Sequence, residues 1–247
     1  MSRHSSERTG LARALSKLGY CSRAAARDLI KEGRVRVNGV ICRDPQNPVV
    51  LGGARIEVDG RLIRNAKKIY LMMNKPRGLV TSASDEKGRE TVYSLLPEGK
   101  EWLAPVGRLD KASEGLLLFT NDSAWAARIT APESRVAKTY HVQIEAVPSE
   151  ALITRLVGGV RESGELLKAT TAKVVRQGEK NCWIEIVLDE GKNRHIRRML
   201  SALDIEVLRL VRVAIGGLEL GDLPKGKVRE LTVAERELLA RLAKIDE

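Results

Sequence analysis

Apolar positions recur at helical spacing in residues 8–18, where Leu11, Ala14, Leu15 and Leu18 share one face and Gly19 stops the run. Ser22 is placed to cap a second helix that continues to Glu32 and closes at Gly33. The period then changes to two. RVRVNGVI and RIEVDGRLI alternate around Asn38-Gly39 and Asp59-Gly60, both tight-turn signals, and predict two hairpins. Residues 64–68, RNAKK, read as a short polar linker or hinge. IYLMMNKPRG then predicts a strand that ends in a turn.

Strand patterns follow at 116–121, 138–146, 166–178, 181–191 and 206–217, and helix patterns at 123–129, 149–156 and 193–203, the last with Asn193 as its cap. Thr232 caps a final amphipathic helix. KTYHVQIEA and CWIEIVLDE alternate as strands of a sheet with one covered face do. Strands outnumber helices and lack regular βαβ spacing, so the predicted fold is α+β with a largely antiparallel sheet. The expected organisation is a small domain over 8–68 and a larger one over 69–247.

Composition narrows the class. The 247 residues are 43% apolar and 30% charged, enough to bury a core. There is no run of 18 apolar residues, so no membrane span is expected. MSRHSSERTG lacks the apolar stretch of a secretion signal. Three scattered cysteines and three histidines fit neither a disulfide scaffold nor a metal cluster, and suit a reducing cytoplasm.

Charge is placed unevenly. Residues 1–68 hold 15 Lys and Arg against 6 Asp and Glu, whereas the remainder holds 28 against 26. A basic module on a nearly neutral body points to a polyanion, and to nucleic acid before a membrane surface, because no helix joins a basic face to Trp or Phe anchors. In the second helix Arg23, Arg27 and Lys31 fall at i, i+4 and i+8 on one face, and Arg34 and Arg36 follow. Such a run is usually a solvated face; here Asp28 and Glu32 are the only acids among residues 23–43. Two short helices followed by IKEGRVRVNG and a few strands resemble the RNA-binding domain first described in ribosomal protein S-four. That resemblance implies RNA phosphates laid against the second helix and the turn after it, contacts that give affinity and register without sequence choice.

Three segments have chemical potential. In GRLDKASEGLLLFTND, residues 107–122, Asp110 stands between Arg108 and Lys111 just ahead of an apolar strand. It reads either as a charged, positioned carboxylate or as a turn-forming Asp. In KTYHVQI, Tyr140 reads as core or as a base-stacking platform, in a chain only 3% aromatic. In DEGKNRHIRRML, Arg194, Arg197 and Arg198 crowd the start of a helix, where they oppose its dipole and call for a carboxylate or phosphate partner.

Taken together, GRLDKASEGLLLFTND, NKPRG at 74–78 and EGKNRHIRRM at 190–199 resemble the pseudouridine synthases of the RsuA and RluB kind, from Ile69 to about Gly217. Ser113 and His195 stand where that family often has threonine and glutamine. The resemblance implies isomerisation of a uridine in ribosomal RNA without metal or cofactor. It implies that Asp110 is the catalytic carboxylate, that Tyr140 stacks on the target uracil, that Arg197 pairs with the aspartate and that Arg108 handles the flipped nucleotide. Lys75 and Pro76 would support the site floor, while Arg194 and Arg198 would grip RNA. The expected partner is large-subunit rRNA, free or in a subunit precursor, with small-subunit rRNA as the alternative; no protein partner is implied, and the default is a cytoplasmic monomer. Two other classes stay open: a non-catalytic ribosome-assembly factor, and a hydrolase pairing Asp110 with Glu114, which the lysine-rich surroundings disfavour.

Overall fold

A computed structural model of the chain describes residues 8–243 except 84, 86, 98, 100 and 101, so most of the segment read for a secretion signal lies outside the described residues. Among the described residues no helix is long and apolar enough to cross a membrane. The chain divides into two compact units, one of Met1–Tyr70 with Glu98–Ala104 and Phe119–Ala124, the other of Leu71–Pro97, Pro105–Leu118 and Trp125–Glu247.

In the first unit the opening helix is Leu11–Lys17 and starts later than its apolar spacing predicts. Arg8–Gly10 is extended instead and pairs with Pro48–Val50, which claims the backbone groups a longer helix would use. Helix Arg23–Lys31 is capped as predicted, Ser22 Oγ accepting from Ala25 N at 3.0 Å. Both hairpins form: Val35–Val37 with Val40–Ile41, and Ile56–Val58 with Arg61–Leu62. At their turns Asn38-Gly39 and Asp59-Gly60 adopt positive φ at both central residues, the geometry that matches strand twist. Leu11, Leu15, Ile30, Val35, Ile56 and Val58 fill the core beneath them. Residues 64–68 are no free hinge. Ala66 N donates to Leu18 O, Lys68 Nζ to Lys17 O, and the buried Asn121 donates to Lys67 O, so the strap is laced to its own unit.

The second unit is built on a nine-stranded sheet whose main order is Thr171–Gln177, Cys182–Leu188, Lys138–Ile144, Val207–Ile215, Glu114–Thr120, Tyr70–Lys75 and Val228–Glu230. Lys138–Ile144 is antiparallel to both neighbours, and Val207–Ile215 meets Glu114–Thr120 in parallel. Val142, Ile144, Ile184, Ile186 and Leu210 pack with helices Glu150–Gly158 and His195–Ser201 in one core. The final helix carries the predicted cap, with Thr232 and Glu235 bonding reciprocally.

Two expectations are corrected. The pattern at 166–178 covers two strands: Glu165–Leu167, in a hairpin with Val160–Glu162, and Thr171–Gln177. Buried Ala169 turns the chain between them, bonding Leu156 O. The helix expected from Asn193 begins at His195, and its cap position is Arg194 at φ +47°, because a turn that brings His195 N to Lys192 O comes first.

Candidate active site

Residues 107–113 join strand Ala104–Val106 to strand Glu114–Thr120, and the backbone of this loop is held from several sides. Ser113 N donates to Asp110 O at 2.9 Å and Thr81 Oγ1 to Leu109 O at 2.7 Å. Beneath the loop lies Lys75, fully enclosed, whose Nζ donates to the carbonyls of Pro76, Asp110 and Ser113 at 3.0, 3.2 and 2.9 Å. Three carbonyl dipoles on one ammonium offset much of the cost of burying that charge. Burial still pushes Lys75 down to about 8, against the opposing pull of Glu114 and Asp110. Lys75 thus supports the site floor as the NKPRG motif implied.

The strand that follows explains a glycine. Gly115 sits at φ +102°, and a Cβ there would fall 2.2 Å from the carbonyl oxygen of Arg212. Only glycine lets Glu114–Thr120 approach Val207–Ile215 this closely. In the register that results, Gly115 lies beside Arg212, and Arg212 beside Tyr140. One row across three strands therefore links the Asp110 loop to the tyrosine.

Between them opens a cavity of about 610 Å³, bordered by Asp110, Tyr140, Arg108, Arg194, Arg197 and Arg212 among others. This is the size range of a small-ligand site. Asp110 is half-buried. Tyr140 is half-buried too, packed against the apolar core and bordering the cavity. Arg108 and Arg194 are exposed at the border.

Arg197 is placed differently from a simple partner of the carboxylate. Its guanidinium donates to Ala112 O at 3.2 Å and Val207 O at 3.5 Å, so it grips the backbone of the Asp110 loop. Among the described residues no ion pair within 4.0 Å joins Arg197 to Asp110. Burial and the neighbouring Arg194 and Arg77 pull Arg197 down from its usual range, while the charge of Asp110 opposes them.

Arg198 does not serve as a free RNA contact. Its Nε reaches Glu162 at 2.7 Å and its Nη2 reaches Glu165 at 2.8 Å, which clamps the helix to hairpin Val160–Leu167. Glu114 is no acid partner for Asp110 either. Burial would raise it, but bonds from Arg209, both at 3.0 Å, and from Lys225 hold it below the usual carboxylate range. A carboxylate so committed has no proton to donate, which removes the paired-carboxylate hydrolase.

Three residues that border the cavity were not predicted as site residues. Arg212 is 5% exposed, with Nε on Leu116 O at 2.8 Å and Nη2 without a partner among the described residues. Its signal was parity, since it alternates with Leu210 and Ala214 on the inward face. Lys138 is pulled down by burial and by Arg212, with Asp189 opposing. His195 is buried with neither ring nitrogen bonded among the described residues.

The remaining predicted residues belong to the first unit and do not line the cavity. Arg23, Arg27 and Lys31 are exposed along their helix. Arg34 is already paired with Asp59, at 2.6 and 2.9 Å, and with Glu32; Arg36 folds back on Gly39 O at 3.0 Å.

The family described as RNA pseudouridylate synthase matches residues 69–202, and the S4 domain matches residues 9–56. The chain is 36% identical to Bacillus subtilis ribosomal large subunit pseudouridine synthase B, over 94% of this chain and 96% of that protein. It is 35% identical to the Shigella flexneri protein of the same name, over 95% and 83%. A crystal structure of a pseudouridylate synthase superposes with a TM-score of 0.66 at 29% identity, covering 94% of this chain and 99% of the other.

Proposed function

The chain belongs to the RNA pseudouridylate synthase family, and on that footing we propose that it isomerises one uridine of large-subunit ribosomal RNA, with Asp110 as the catalytic carboxylate. Two similar proteins act, by name, on the large ribosomal subunit, which favours that target over the small subunit. In this reading residues 8–68 form the RNA-binding domain and 69–247 the synthase domain, a cytoplasmic monomer acting on rRNA either free or in a precursor particle.

The observation that carries the proposal is that Asp110 and Tyr140 border the same cavity, with the backbone of the Asp110 loop held by Lys75 and Arg197. Pseudouridine formation breaks the bond from ribose C1′ to uracil N1, turns the base and rejoins it through C5. The proton lost from C5 is balanced by one gained at N1, so no electron acceptor is required. Asp110 acts at the ribose, by attack on C1′ or by taking a proton from the neighbouring carbon. Either route needs a carboxylate held still beside the sugar, which is what the anchored loop supplies. The target base must leave its stack, at a cost of a few kcal/mol. Tyr140 offers its ring to the flipped uracil, and Arg108 and Arg194 offer charge to the phosphates at the border.

Site-resolved pseudouridine mapping tests this directly. Unmodified rRNA of both subunits is treated with the wild-type chain and with Asp110→Asn. A single new site in the large-subunit rRNA with wild type, and a rate reduced by more than about 10³-fold with the variant, is the expected result. A site formed equally well by Asp110→Asn would remove Asp110 from the chemistry. RNA binding with no new site in either rRNA or in precursor particles would favour the assembly-factor reading.

A further inference from the structure

The sheet has a second surface that the reaction does not use. Strand Lys138–Ile144 turns Val142 and Ile144 into the core, and the alternate positions His141 and Gln143 face the other way. On that other face the register aligns Arg176, Trp183, Gln143 and Arg209 in one row across four strands. These side chains border a separate cavity of about 350 Å³, lined as well by Gln177, Gly178 and Asn181.

The lining of this cavity is chemically particular. It contains two arginines, three side-chain amides and an indole, and no carboxylate. Trp183 is half-exposed, and the guanidinium of Arg209 lies over its ring, 5.4 Å from the centroid. Arg209 is itself held by two bonds to Glu114, which anchors the guanidinium against the ring. Gln143 Nε2 donates to Asn181 Oδ1 at 3.1 Å, which leaves an amide oxygen on one and an amide nitrogen on the other for a ligand. Arg176 is exposed and has no ion-pair partner among the described residues.

We infer that this cleft is a second RNA contact, which takes one unpaired nucleotide with its base against Trp183 and the amides and its phosphate on Arg176. The inference rests on the reading of the substrate as RNA. Charge complementarity selects the occupant. A cationic, amide-rich cleft around an aromatic ring suits a phosphate and a base. An amphipathic helix would need an apolar groove, and a hard cation would need carboxylates. The nucleotide bound here is not the target, because Gln143 is three residues along the strand from Tyr140 and on the opposite face. It belongs to another segment of the same rRNA, so the cleft adds a point of attachment.

The test is equilibrium binding of full-length large-subunit rRNA transcript, over a range of salt, to chains that also carry Asp110→Asn. Trp183→Ala is expected to weaken binding about 10-fold, and Trp183→Phe, which keeps a stacking face, to recover most of it. Arg176→Gln is expected to flatten the dependence of log K on log salt by about one ion. In the active background the loss should fall on KM and not on kcat, with thermal midpoints within a few degrees of wild type. Equal affinity for Trp183→Ala and wild type would overturn the inference. So would equal losses for Ala and Phe accompanied by a lowered thermal midpoint, or a change in oligomeric state at unchanged RNA affinity, which would make the face a contact between copies. Pseudouridine formation is read separately. A wild-type chain that makes no pseudouridine yet binds this rRNA through Trp183 sinks the substrate assignment and keeps the cleft, and the converse result sinks the cleft alone.

Discussion

In the first unit Arg23, Arg27 and Lys31 stand in solvent along one helix, and the hydrogen bonds of Arg34 and Arg36 stay at the surface. In the second unit Lys75 and Arg212 are enclosed and Arg197 is half-buried, and each donates to backbone carbonyls instead of carboxylates. Exposed cations lose little solvation and meet a polyanion across water, which suits register and affinity. Enclosed cations are costly alone, and the carbonyls that offset the cost are thereby fixed in place. The same residue types thus stand exposed at the surface in one unit and fasten backbone in the other. The arginine-rich segment at 194–198 contains both kinds, with Arg194 at the border, Arg197 on the Asp110 loop and Arg198 locked to two glutamates.

The contrast breaks most sharply at Lys75. Lys75→Met preserves shape and removes the donor to three carbonyls. The expected stability cost is about 1–3 kcal/mol for each carbonyl left unsatisfied, less what is recovered by not burying a charge. Displacement of the Asp110 loop should lower kcat by about 10²-fold with little change in RNA affinity. Chemical denaturation and single-turnover pseudouridine formation check both. The pH dependence has a definite sign. Below about pH 8 both folded and unfolded chains hold the Lys75 proton. Between about 8 and the ordinary 10.5 only the unfolded chain does, so stability from this group rises with pH across that window in the wild type and not in the variant. A variant with unchanged kcat would show that the buried cation fastens nothing that matters.

The opposite behaviour is expected of the exposed stripe. Arg23→Gln, Arg27→Gln and Lys31→Gln combined should weaken rRNA binding by about 10- to 100-fold and reduce the salt slope by two to three ions, at a stability cost within about 0.5 kcal/mol per site. Filter binding across a salt series and a thermal melt separate these effects. A large loss of stability with an unaltered salt slope would make the stripe structural and end the contrast.

These two outcomes follow how far each unit could be read from sequence. The stripe, the Ser22 cap and both hairpin turns are local, decided within about eight residues, and the structure keeps all of them. The GRLD loop was legible as a segment, and Asp110 and Tyr140 do border one cavity. The resemblance pointed to Lys75 and Arg197, but the carbonyls that the fasteners bond, and Arg212 altogether, were not legible, because each is a contact across long separations. Lys75 reaches Ser113, Arg197 reaches Ala112 and Arg212 reaches Leu116, 38, 85 and 96 positions away. The cap at Asn193 failed for a local reason that only the backbone reveals, since the turn at Lys192 delays the helix and puts Arg194 into the left-handed region. Residues 64–68, read as a linker or hinge, are tied down by bonds with Leu18, Lys17 and Asn121 that polarity alone does not announce.

The smallest predicted effect concerns His195, among the described residues the one imidazole that borders the cavity. Burial pushes it below its ordinary 6.5, aided by Lys192 and Arg198, while Glu190, at 3.7 Å from Nδ1, and Glu165 pull the other way. Burial wins because a charged ring there would lose its water and gain no hydrogen bond in return. As pH falls below 6.5 the unfolded chain takes up a proton that the folded chain refuses. Stability from this group is therefore complete above 6.5 and is lost on descending toward the folded value, with a slope of at most about 1.4 kcal/mol per pH unit. His195→Gln keeps a polar side chain of similar reach and does not titrate, so its stability between pH 7 and 5 should fall less steeply than that of the wild type. Urea midpoints at half-unit pH steps measure the difference. Parallel curves would mean that His195 accepts its proton in place, as an exposed surface group does. The two units would then differ in where their cations lie but not in how the second resists a new charge.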